Sequence, residues 1–109
     1  MREPILTVSD RRFVVKLMKT FGIKRLNIDY SDSNRKWPDI WLDYYNGIPR
    51  VTVTTEWERQ DTHERRKRLV HEIVCHHILG LEHGKVGGYD FNTRPEFDSY
   101  SEIVYRSLI

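Results

Sequence analysis

Apolar residues recur every three or four positions in the first patterned segment, SDRRFVVKLMKTFG, so that Phe13, Val14, Leu17, Met18 and Phe21 share one face of a predicted helix. Ser9 stands where a cap is expected, Asp10 suits the positive N-terminal end, and Gly22 supplies a stop. The period then shortens to two. KRLNIDY places Leu26, Ile28 and Tyr30 on one side. DIWLDYY opposes Ile40, Leu42 and Tyr44 to Trp41, Asp43 and Tyr45. Asn46-Gly47, a strong tight-turn pair, leads into the β-branched IPRVTVTTEW, so the second and third strands read as an antiparallel hairpin. SDSNRKWP between the first two strands reads as a loop.

A longer helical pattern follows. Asp61 with Glu64 resembles a capping box, and the pattern runs to about Leu79, before Gly80. KVGGYDFNTRP reads as a glycine-containing loop. PEFDSYSEIVYRSLI reads as a terminal helix opened by Pro95, with Tyr100, Ile103, Val104 and Leu108 on its apolar side. The order of helix, three strands, long helix and short helix describes a small α+β domain. No repeat, low-complexity tract or long linker divides the chain, so residues 1–109 are read as a single domain.

Composition adds limits. The 109 residues include 18 basic and 16 acidic side chains, a net charge of +2 that neither demands nucleic acid nor excludes it. The single cysteine, Cys75, cannot form an intrachain disulfide and fits a reducing compartment. Apolar runs are too short to span a bilayer, and MREPILTVSD lacks the apolar segment of a signal peptide. A soluble cytoplasmic protein with no membrane partner is the expectation.

Candidate chemistry is concentrated in RLVHEIVCHHILGLEHG, residues 68–84, which holds four of the five histidines together with Cys75, Glu72 and Gly80. Residues four apart stack on a regular helix. This is why a His-Glu-x-x-His sequence can direct two imidazoles at one zinc ion while the glutamate polarises a water. A catalytic zinc also needs a third ligand and an open position, and lowers the pKa of its water towards ~7.

Here His71-Glu72 begins such a motif, but position 75 is cysteine. Three registers are open. A regular helix would stack Cys75 on His71, and thiolate donation would leave the water less acidic. A π-bulge would loop out one residue and align His71 with His76. Third, His77 with His83 forms His-x-x-Gly-x-x-His, although the upstream partner of His77 would then be Ile73, which cannot ligate. His77 otherwise reads as a packed, hydrogen-bonded histidine beside Leu69, Val70, Ile73 and Val74. The selected ligand set is His71, His76 and His83, with Cys75 and Glu102 as alternates. His83 follows the Gly80 turn, and Glu102 lies on the terminal helix. Tyr89, Tyr100 and Tyr105 are candidate donors to a developing oxyanion.

By these residues and by the order of its elements the chain resembles the zincin metallopeptidases, and in length the single-domain minigluzincins. HILGLEHG is also similar to the glycine-turn part of the metzincin signature. The likeness extends over most of the chain by architecture and over residues 69–84 by motif. It implies zinc as cofactor, Glu72 as general base, and a peptide or protein as substrate. It also implies that RVTVTTEW lies along the cleft as an edge strand that pairs with an extended peptide. A zincin fold that has lost peptidase activity would carry the same pattern.

Two readings from other classes remain. Arg65, Arg66, Lys67 and Arg68 with His63, together with Trp37, Trp41 and Trp57, would suit a nucleic-acid-binding module, although four consecutive residues point around a helix rather than along one stripe. Alternatively the histidines would hold a purely structural metal in a non-catalytic domain.

Overall fold

A computed structural model describes residues 6–32, 38–80, 85–86, 89–90 and 95–109. Helix α1 (Val8–Phe21) leads into strands β1 (Asn27–Ser31), β2 (Ile40–Tyr45) and β3 (Ile48–Thr54). A single helical turn, α2 (Thr55–Glu58), comes next. Helix α3 (Thr62–Val70) runs directly into a π-helical segment, His71–Ile78. Two short strands, β4 (Lys85–Val86) and β5 (Tyr89–Asp90), precede helix α4 (Pro95–Leu108). The α+β class and the order of the main elements are those read from the sequence.

The main sheet has the order β1-β3-β2. β2 and β3 form the expected hairpin around Asn46 and Gly47, whose φ values of 52° and 77° are those of a turn matched to strand twist. β1 joins β3 in parallel. This corrects one expectation. Arg50–Thr54 belong to the central strand, with both edges occupied, so RVTVTTEW is not an edge strand available to a peptide. Its last four residues, the β-branched Val51–Thr54, are all buried.

One sheet face carries Ile28, Tyr30, Ile40, Leu42, Val51 and Val53. They pack with Phe13, Val14 and Leu17 of α1, Leu69 and Val70 of α3, Ile73 and Val74 of the π segment, and Val104 and Leu108 of α4. The opposite face holds Arg50 between Asp43, at 2.7 Å, and Asp29, at 3.8 Å. Burial would raise the Asp43 pKa, but the stronger Arg50 hydrogen bond holds its carboxyl below the usual range.

Several details differ from the sequence reading. Thr7, not Ser9, caps α1 by accepting from the Asp10 N–H at 3.0 Å. Asp10 is buried, and receives Arg65 at 3.2 Å and Arg66 at 3.1 Å. On α4, Ser101 faces inward with Val104 and Leu108, while Tyr100 and Ile103 face outward. The inward face therefore follows 101, 104 and 108. β4 and β5 form a two-residue pairing inside the stretch read as loop. Among the described residues no helix is long and apolar enough to cross a membrane.

Candidate metal centre

Asp61 caps α3 as expected, accepting the Glu64 N–H at 2.8 Å. The first turns of the helix are fixed by ion pairs rather than left in solvent. Arg65 and Arg66 hold Asp10, Lys67 reaches Asp98 at 2.7 Å, and Arg68 reaches Asp39 at 2.9 Å. Trp57 is fully buried and donates its indole N–H to the Arg65 carbonyl at 3.1 Å. The basic run and Trp57 are thus engaged in internal contacts, while Trp37 lies outside the described residues.

Beyond Val70 the hydrogen-bonding step lengthens to five residues, as in the bond from Leu79 N–H to the Val74 carbonyl at 2.9 Å. The local reason lies in what the segment must bury. Leu69, Val70, Ile73, Val74 and Cys75 are all fully enclosed. Cys75 points towards α4, its Sγ 3.9 Å from Ser101 Oγ, and burial pushes its thiol pKa up despite the opposing effect of that serine. A wider turn accommodates this inward set and returns His76, rather than Cys75, to the side of His71. Of the registers open in the sequence, the chain adopts the π arrangement.

The consequence is a compact donor group. His71 Nε2 and His76 Nε2 lie 3.1 Å apart, and their rings meet edge-on with centroids 4.7 Å apart. Glu72 Oε2 lies 3.3 Å from His76 Nε2. One ligand atom from each of His71, Glu72 and His76 falls within 4.8 Å of the others, a group that could hold a metal ion. Both histidines are half-buried, whereas Glu72 retains only 4% of its exposure.

The electrostatics of Glu72 are unusual. Burial, reinforced by the negative charge of Asp39 and only partly offset by Arg68, pushes its pKa up to about 8. The approach of His76 lacks hydrogen-bond geometry, and Oε2 has no hydrogen-bond partner. A buried acceptor without a partner is costly. A cation between the three side chains would satisfy it, as would a water. The spacing also fits: with metal–nitrogen bonds of ~2.0–2.1 Å, neighbouring ligands of a tetrahedral zinc stand ~3.3 Å apart.

The other sequence candidates fall elsewhere. Cys75 is turned into the core. His77 is half-buried at the rim, where its Nδ1 meets the Tyr44 hydroxyl at 3.1 Å, rather than packed in the core. Glu102 is not in the cluster. Its carboxylate receives His63 Nε2 at 2.7 Å and Arg106 at 2.9 Å. Burial opposes ionisation of Glu102, but these two partners outweigh it and its pKa is lowered. Tyr105 stacks on His63 and packs against Phe13. His83 and the side chain of Tyr89 lie outside the described residues.

Sequence reasoning missed Asp39 and Arg68, which set the field around Glu72. Arg68 stands four residues before Glu72, so helical spacing could have placed it there. Asp39 is brought in by the sheet and carries no comparable signal. It is buried, accepts from Gln60 as well as Arg68, and its backbone carbonyl receives both the N–H and hydroxyl of Thr54. No protein-family model, curated protein or solved structure matches this chain.

Proposed function

We propose that the protein is a zinc-dependent peptidase of the zincin type, similar to the minigluzincins, with its two helix ligands set five residues apart instead of four. The observation that carries this reading is the 3.1 Å approach of His71 Nε2 to His76 Nε2 beside the buried carboxylate of Glu72. In this reading His71 and His76 hold the ion, and His83 follows the Gly80 turn to supply a third ligand. Gly80 has the positive φ of 65° that a reversal at the end of a helix calls for.

A zinc ion in such a site acts as a Lewis acid towards a carbonyl and makes a water nucleophilic near neutral pH. The remaining work falls to the protein. Glu72 takes a proton from the attacking water and delivers it to the leaving amine, its carboxylate standing beside the two histidines. Asp39 and Arg68 lie behind it with opposite effects on its charge. β2, which packs against the π segment, replaces β3 as the strand along which an extended peptide would pair.

The short separation of Glu72 Oε2 from His76 Nε2 favours a second reading, in which Glu72 is itself a ligand of a structural metal. Zinc content and peptide cleavage measured on Glu72→Gln separate the two. A general base predicts zinc retained and cleavage lost. Loss of zinc with the carboxylate would support the structural site and overturn the peptidase reading.

A further inference from the structure

The cations of this chain are not evenly disposed. Those of α3 are paired with carboxylates, whereas among the described residues those of α1 and the turn after it are not. Val8, Arg11, Arg12, Val15, Lys16 and Lys19 line one open face of α1 at intervals of three and four residues. Among the described residues none of these four cations, nor Lys24 or Arg25, meets a carboxylate; Arg11 Nε reaches only the Leu6 carbonyl, at 3.4 Å. Within this row two valines stand in water, Val8 67% and Val15 50% exposed.

Beside this face lies a groove. Leu6, Arg11, Val14, Val15, Leu26, Ile28 and Val53 enclose a cavity of ≈ 410 Å³ between α1 and β1. β1 pairs only with β3, so its other edge carries main-chain donors and acceptors with no partner strand among the described residues. Asp29, in the middle of β1, belongs to the opposite sheet face and leans towards Arg50. Among the described residues no acid lines the groove or the α1 row.

We infer that β1 and α1 form a docking surface for an extended acidic segment of a partner protein, which adds a strand to β1, inserts apolar side chains into the groove and sets carboxylates against the α1 cations. Each part of the surface selects a different property of that partner. The open edge requires a backbone able to complete a ladder, which a lipid surface does not offer. The groove requires alternating apolar side chains. The row of cations without acids requires negative charge. A single-stranded nucleic acid would meet the last condition, but among the described residues no aromatic side chain lines the α1 row or the groove, and Tyr30 of β1 is held through its hydroxyl by Thr55.

An eight-residue peptide alternating glutamate with valine, and a control with glutamine for glutamate, test this on the intact chain. The acidic peptide is expected to bind at least tenfold more tightly than the control, more weakly as salt rises, and to slow amide exchange across Asn27–Ser31 at least tenfold. The double variant Arg12→Glu, Lys16→Glu is expected to lose at least tenfold in affinity. Val15→Glu, which blocks the groove without altering the β1 edge, is expected to do the same. All three substituted residues are exposed, and an unchanged melting temperature verifies the fold. Absence of binding, binding with unchanged β1 exchange, or equal affinity in the variants would overturn the inference. So would preferential binding of an oligothymidylate that leaves β1 unprotected.

Discussion

His71 Nε2 and His76 Nε2 face one another at 3.1 Å although five residues separate them on one continuous helix. A regular α-helix would turn these side chains to different faces. The wider hydrogen-bonding step of the π segment is what brings them together. The pairing of the two histidines is thus a property of helical register, and the register can be tested separately from any activity.

About one zinc per chain is expected after reconstitution, measured by elemental analysis. His71→Ala and His76→Ala should each abolish stoichiometric binding. Cys75→Ala and His77→Ala should leave it intact, because neither side chain faces the cluster. Removal of the buried thiol from Cys75 should instead cost on the order of 1 kcal/mol of stability. Zinc loss in Cys75→Ala with zinc retained in His76→Ala would show that the helix uses the regular register.

Glu72 predicts an inverted pH dependence in the metal-free protein. Its folded pKa of about 8 lies above the ordinary 4.5, so folding favours the protonated form. That stability is fully present below pH 4.5 and is lost as pH rises towards 8. Glu72→Gln keeps the shape and removes the ionisation. It should therefore raise the melting temperature of the zinc-free protein near pH 8, by a gain that shrinks to nothing towards pH 4.5. An equal effect at both ends of this range would mean that the carboxyl is not perturbed by its surroundings.

Asp10 should be the most damaging single charge to remove from the scaffold. It is buried, and both Arg65 and Arg66 close on it from α3. Asp10→Asn leaves two largely enclosed guanidiniums without their counter-charge. A loss of about 3–5 kcal/mol is expected from urea unfolding. Replacing exposed Lys19 with glutamine should change stability by less than about 0.5 kcal/mol.

The elements were legible where period and punctuation agreed. Phe13, Val14 and Leu17 marked the inward face of α1, Asn46-Gly47 fixed the hairpin, and Asp61 fixed the start of α3. Strand order was not legible, because alternation along a strand says which face is buried but nothing about which neighbours it has. β1 therefore reached the far side of β3 without local notice, and an expected edge became the centre of the sheet. At the site, His71, Glu72 and His76 could be nominated from composition, but the choice between Cys75 and His76 depended on tertiary packing. Cys75 settles against Ser101, 26 residues further along the chain, and no local pattern records that contact.

The π segment gives the long helix a tolerance to changes in length. Upstream of it, Asp10, Asp39 and Asp98 anchor α3; downstream, His77 meets Tyr44 and Gly80 takes a positive φ. The two ends are anchored separately, with one surplus residue accommodated between them. A chain lacking one residue from Ile73–Cys75 would place the same two histidines at the ordinary spacing of four, around the same glutamate. Two helix sequences that differ by a single insertion can in this way bring the same pair of side chains together.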